Sequence, residues 1–237
     1  MWKASLNGTR SRAEHPAVPL TAAELAADAV RCAALGVAAV HVHPRDAEGV
    51  ESLSPLVIAD AVTAIRAARP GLPVGVSTGA WIAPDPTARV AAVRAWSVLP
   101  DFASVNAHED GAEAVAAALH ERGVLVEAGL WTVDAVRAWR RWRVPAGRLL
   151  VECLADDPDQ ALADAADMLA TLAALAPGGP PVLLHGEGPA TWPVLLDAVR
   201  RGLDTRIGLE DTLHLPDGAP APDNAALVAH AHALGTT

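Results

Sequence analysis

The chain has 237 residues, of which 51% are hydrophobic and 19% charged, with a formal net charge of −10. That length suits one α/β barrel, and the apolar content fills a large core and rules out a disordered chain. The acidic balance, without any block of Lys or Arg, argues against nucleic-acid or anionic-membrane partners and leaves room for small anions at a local positive cluster.

Short β-type runs alternate with longer Ala-, Leu- and Val-rich helical runs along the chain. "KASLN" opens, and "TAAELAADAVRCAAL" follows as a helix. Thr21 and Glu24 have capping-box spacing, Leu20 and Leu25 staple spacing, and Gly36 closes the C-terminus. The next strand is "VAAVHVH" (37–43), and Ser54-Pro55 then starts a helix to about Arg69. Strand three is "LPVGVST" (72–78), with "DPTARVAAVRAWSV" as the helix behind it. "DFASVNA" (101–107) and "GVLVEAG" (123–129) are strands four and five, separated by the helix "GAEAVAAALHER". After "VDAVRAWRRW" comes strand six, "GRLLVECL" (147–154), and Asp157-Pro158 caps a helix to about Ala176. "PPVLLHG" (180–186) is strand seven, "PATWPVLLDAVRRG" its helix, "DTRIGLED" (204–211) strand eight, and "DNAALVAHAHALG" the last helix.

Eight β-then-α units imply parallel strands joined by right-handed crossovers and closed into one (β/α)8 TIM barrel over residues 1–237. An open doubly wound sheet fits less well, because no G-x-G-x-x-G follows the first strand and no Walker A sequence occurs. Two cysteines, Cys32 and Cys153, build no disulfide framework and read as buried thiols. No apolar leader core and no run of membrane-spanning length occurs, so a cytoplasmic location is expected.

Barrel chemistry gathers at the C-terminal ends of the strands. Those ends carry Asn7, His41 with His43, Ser77 with Thr78, Asn106 with His108, Glu127, Glu152, His185 with Glu187, and Arg206 with Glu210 and Asp211. The opposite ends show no comparable set. His41 and His43 are two apart and leave the same face of their strand, while Val40 and Val42 take the other. Alone, an H-x-H pair is either a ligand pair or two imidazoles alternating on a strand. At the mouth of a barrel, with Glu210 on a strand of the same parity, two His and one carboxylate with an open fourth position make a catalytic zinc arrangement. Glu127 and Glu152 read equally as site residues and as ion-paired structural acids. Asn7, Ser77 and Asn106 read either as site residues or as loop caps. The seven Trp read as core and interface filling, and His214, His230 and His232 as surface residues.

With the strand ends laid out, the chain resembles the β-keto acid cleavage enzyme family over essentially its whole length. The pieces that carry the resemblance are "SRAEHPAVPLTAAELAADAVRCAALGVAAVHVHPRD", "VSTGA", "SVNAHE", "VEAGLW" and "RIGLEDTLHLPDGAPAPDNAALV". The resemblance implies a zinc-dependent barrel that exchanges a β-keto acid with acetyl-CoA, giving acetoacetate and a new acyl-CoA. It implies His41, His43 and Glu210 as zinc ligands, with Asp211, Arg206 and Glu127 as catalytic positions. Asn7, Ser77, Thr78, Ser104 and Asn106 fall at substrate-binding positions, and the family favours homo-oligomers (dimer or tetramer). The chain departs from it in being shorter, in "ECLADDPDQ" where a glycine-rich loop is common, in Thr9 where an acid is common, and in Thr212 for the usual Asn. Two other readings stay open: a zinc lyase or hydrolase that uses no CoA, and a metal-binding barrel without catalysis.

Overall fold

The computed structural model describes residues 1–235; the last two residues of the expected 1–237 domain lie outside it. Its eight strands are β1 (Trp2–Ser5), β2 (Ala39–Val42), β3 (Val74–Ser77), β4 (Phe102–Asn106), β5 (Leu125–Leu130), β6 (Arg148–Cys153), β7 (Val182–Gly186) and β8 (Thr205–Ile207). They alternate with α1 (Ala22–Ala34), α2 (Pro55–Ala68), α3 (Pro86–Ala95), α4 (Ala112–Glu121), α5 (Val133–Trp139), α6 (Pro158–Leu175), α7 (Thr191–Arg200) and α8 (Asn224–Gly235).

All ladder pairs are parallel, in the order β7-β6-β5-β4-β3-β2-β1-β8. The remaining seam, between β7 and β8, is closed by a bridge between Leu183 and Asp204. There the Leu184 amide donates to the Asp204 carbonyl at 2.9 Å and the Thr205 hydroxyl to the Leu184 carbonyl at 2.8 Å. The fold is a (β/α)8 barrel, as the alternation implies. No helix among the described residues is long and apolar enough to cross a membrane.

Period-two alternation along the strands sorts their side chains. Val40, Val42, Val74, Val76, Ala103, Val105 and Val126 are fully or almost fully buried and join a helix-facing core with Leu25, Ile58, Val62, Val115 and Leu119, while Val151 packs in a second core with Met168 and Leu184. Each large aliphatic residue in that layer contributes about 1.5–3 kcal/mol by burial. The polar partners of the alternation point into the barrel. Helix starts are set locally: Thr21 and Glu24 form the capping box of α1, and Asp157 accepts from the Asp159 amide at the start of α6. Leu20 and Leu25 both pack into the core, and Gly36, at φ 93°, follows the end of α1. Ser54 does precede α2, but its hydroxyl makes no cap bond.

The structure differs from the sequence reading at three places. Strand β8 ends at Ile207, so Glu210 and Asp211 sit in the turn that follows it, not on the strand. Glu127 is the third of six residues in β5, not its end. And the opposite end of the barrel is not free of charge. Lys3, fully buried in β1, lies 2.6 Å from Glu127, whose other oxygen is 2.6 Å from Arg148. Arg148 extends the chain of charges to Asp204, which also pairs with the N-terminal amine. Three strands are thus tied together beneath the mouth, and a single Lys in a short apolar run has no periodic signature that would mark Lys3 in the sequence.

Candidate metal centre

The pleat of β2 sends His41 to the inside, and His43, one residue past the strand's end, continues the alternation, with Pro44 after it holding the chain extended. Both are buried, at 2% and 4% exposure, and their Nε2 atoms stand 3.2 Å apart. Glu210 Oε1 lies 3.9 Å from His41 Nε2 and 3.7 Å from His43 Nε2. The three ligand atoms fall within 4.8 Å of one another. Two nitrogens on one tetrahedral zinc, at ~2.0–2.1 Å each, stand about 3.3 Å apart. The pair is therefore already at ligand spacing. Glu210 Oε2 is buried without a hydrogen-bond partner, which is costly unless a cation takes it. The residues fit a divalent metal.

Several neighbours fix this geometry. Glu51 Oε2 takes a hydrogen bond at 2.7 Å from His43 Nδ1, which turns Nε2 to the centre. Trp81 Nε1 donates to the same carboxylate at 3.1 Å, and the Trp81 ring stacks on His43 at 6.2 Å. Asn7 brackets the His43 backbone, accepting from its amide and donating to its carbonyl, both at 2.9 Å. Gly8, at φ 52°, passes so close to Glu210 that an added Cβ would stand 2.5 Å from its Cγ. A side chain there would push the ligand away.

Charges follow from burial and these contacts. Burial pushes the metal-free His41 down to about 3. At His43 burial also opposes the charge, but the Glu210 and Glu51 carboxylates outweigh it and hold the imidazole at about 9. Arg206, His41 and His43 keep Glu210 ionised against its burial.

Arg206 and Asp211 form a second layer. The guanidinium reaches Asp211 Oδ1 through Nε at 3.1 Å and Nη2 at 2.8 Å, and Glu210 Oε1 through Nη2 at 2.8 Å. Ser5 donates to the other Asp211 oxygen, and His185 Nδ1 stands 3.6 Å from Oδ1. Asp211 is wholly buried, and burial raises its carboxyl despite Arg206.

The candidate triad opens on a cavity of about 310 Å³ lined by Ser77, Ser104, Asn106, Glu152, Glu187 and Arg206, with Trp81 and Trp131 in its walls. Of the expected substrate-binding and catalytic positions, Ser77, Ser104, Asn106 and Arg206 line this one cavity. Four expected site residues do not line it. Asn7 is spent on His43; Thr78 is fully buried and donates to the Ser104 carbonyl at 2.7 Å. Glu127 lies in the ion cluster beneath, and Asp211 is screened by Arg206. Glu51, Trp81, Trp131 and Arg10 were not anticipated. Glu51 comes to His43 on a turn closed by an Arg45–Glu51 bridge, and nothing in a lone Glu eight residues on signals this.

Three solved structures share the architecture. The apo structure of ObcA matches at a TM-score of 0.74 and 15% identity, covering 92% of this chain and 61% of that one. A putative dihydrodipicolinate synthetase from Pseudomonas aeruginosa matches at 0.55 and 17%, covering 99% and 80%. Dihydropteroate synthase from Xanthomonas albilineans matches at 0.51 and 17%, covering 99% and 90%. At these identities the likeness speaks for the fold, and the chain spans about three fifths of the length of ObcA. The sequence itself is more specific. The model of the beta-keto acid cleavage enzyme family matches residues 2–237, nearly the full length and including every ligand of the candidate centre, and the chain belongs to that family.

Proposed function

We infer that the protein is a zinc-dependent β-keto acid cleavage enzyme, exchanging a β-keto acid with acetyl-CoA to give acetoacetate and an acyl-CoA. The observation that carries this reading is the placement of His41, His43 and Glu210 at ligand spacing, facing a polar cavity, in a chain of this family. Two imidazoles and one carboxylate with an open position favour zinc over the harder cations. When bound there, the ion supplies Lewis-acid stabilisation of negative charge on a carbonyl oxygen.

The chain's own groups supply the rest. Glu51 and Asn7 hold His43 from opposite sides, so the ligand face is preorganised. Arg206 uses Nε and Nη2 on Asp211 and Glu210, and it lines the cavity, where its guanidinium favours a substrate carboxylate. Ser77, Ser104 and Asn106 offer hydroxyl and amide groups along the β3–β4 wall. Trp81 and Trp131 provide apolar walls that limit water. The altered loop after β6 still reaches the cavity through Leu154. Assembly as a dimer or tetramer belongs to the same reading by family resemblance.

A panel of β-keto acids, each with and without acetyl-CoA, tests the assignment. Acetoacetate should form only when both reactants are present and only with metal. Turnover without acetyl-CoA would favour a lyase that uses no CoA, and no turnover by a zinc-loaded protein would favour a non-catalytic barrel.

A further inference from the structure

Glu210 owes its place to a turn rather than to a strand, and a side chain of the helix layer holds that turn. Asn224, the first residue of α8, is fully buried and does not line the cavity. Its Oδ1 accepts at 2.6 Å from the amide of Leu209, the residue before the ligand. Its Nδ2 donates to the Leu6 carbonyl at 2.8 Å and to Asp28 Oδ2, on α1, at 2.6 Å. Leu6 leads into Asn7, which brackets His43, and Gly8, which packs on Glu210. One amide thus ties together the two segments that set the ligand. The fit between them is close, since a Cβ at Gly208 would stand 1.8 Å from the Ser5 carbonyl oxygen and 2.8 Å from Asn224 Oδ1. Helix capping does not account for Asn224, because Asp223 Oδ1 already accepts from the Ala226 amide at 2.9 Å. Facing one N–H and two acceptors, a buried group here must both accept and donate, which a carboxamide does and an acid or an aliphatic side chain does not.

We propose that Asn224, oriented by Asp28, is a positioning residue of the metal centre, acting through the Leu209 amide and the Leu6 carbonyl from the α1–α8 layer behind the site. The inference rests on the zinc-dependent reading above and adds a determinant of metal affinity that touches neither metal nor substrate. The backbone of Glu210 is otherwise tied to β1 only by its own amide, which donates to the Ser5 carbonyl at a long 3.3 Å. Its side chain is held at Oε1 by Arg206, while Oε2 is buried without a partner. Loosening the Leu209 amide therefore frees the turn to move off β1, and a ligand that drifts by a fraction of an ångström leaves a preorganised centre. Asp28, 1% exposed, sets which way the Asn224 amide faces. Its second oxygen is anchored by Arg31 at 2.7 Å. A flipped amide would put oxygen against oxygen at both Asp28 and Leu6, and nitrogen against the N–H of Leu209.

Zinc affinity of the folded protein, measured by competition with a chromogenic chelator, tests this, with the visible absorption of bound Co2+ as a probe of ligand geometry. Asn224→Asp keeps the acceptor for Leu209 but turns an oxygen towards Leu6 and Asp28. It should weaken zinc about 10-fold or more and shift the Co2+ band. Adding Asp28→Asn returns a donor to that pair and should recover part of the affinity. Asn224→Ser, the milder change, should weaken zinc in the same direction and serves where the Asp variant does not fold. Val115→Ala, a core truncation on α4, should lower the urea midpoint while leaving zinc affinity and the Co2+ band as in wild type. Wild-type affinity with an unshifted band in the folded Asn224 variants would overturn the proposal and leave the metal centre standing. An equal loss of affinity in Val115→Ala would also overturn it, by tracing the effect to general destabilisation. Failure of wild type to bind zinc would overturn the centre and the proposal together.

Discussion

His43 is held between two carboxylates, with Nδ1 2.7 Å from Glu51 Oε2 and Nε2 3.7 Å from Glu210 Oε1. Only one of the two is placed as a ligand; the other fixes the ring. Glu51→Gln should therefore leave the fold intact and weaken zinc binding about 10- to 100-fold. Competition with a chromogenic chelator measures this, and unchanged affinity would make the Glu51 contact incidental.

Gly8 carries a second, purely steric prediction. Gly8→Ala places a methyl group against Glu210 and forces a side chain into the left-handed region. The backbone cost is about 1–2 kcal/mol, and the displaced Glu210 should lower metal affinity as well. Denaturant unfolding with and without zinc separates the two effects. A loss of stability equal in both conditions would show that Glu210 had not moved.

Glu127 and Lys3 should matter for stability rather than turnover. Both side chains are fully buried and bonded to each other, so Lys3→Met leaves a buried carboxylate with Arg148 alone. The expected loss is about 3–5 kcal/mol. Glu127→Gln should keep the kcat of the folded fraction near wild type. A collapse of kcat without loss of thermal stability would return Glu127 to the catalytic role expected from sequence.

Glu187 sets a pH dependence of stability in the metal-free protein. Its folded-state value is raised to about 8 from an ordinary value of 4.5, by burial first and then by Glu152 and Asp211. A raised value means the folded state binds the extra proton. Its contribution is thus complete below about 4.5 and is lost as pH rises through about 8. Glu187→Gln should gain stability relative to wild type between pH 5 and pH 9, read from urea midpoints. A constant difference across that range would contradict the assignment.

What could be read from the sequence was whatever repeats or caps. Thr21 with Glu24, Asp157 with Pro158, and the β-then-α alternation are local signals, and they fix the barrel. The His41 and His43 pair was legible because period two and a strand end determine where both rings go. Its partners were harder. Glu210 belonged with the pair, but the strand carrying it stops three residues earlier, so its position depends on the turn packing over Gly8. Asn7 and Asp211 read as site residues because they flank the mouth, whereas their side chains are consumed by His43 and Arg206. Glu51, Lys3 and Trp81 are set by tertiary contacts alone. Trp81 was read as filling, yet it is 45% exposed over the ligand ring.

On the proposed reading, cleavage depends on a metal held by His41, His43 and Glu210. Protein stripped by chelation and titrated with zinc, assayed for acetoacetate formed from a β-keto acid and acetyl-CoA, tests it most directly. Activity should rise linearly to one zinc per chain, and His41→Ala should neither bind the zinc nor recover activity. Full activity in the stripped protein, or undiminished zinc binding in His41→Ala, would exclude this metal centre.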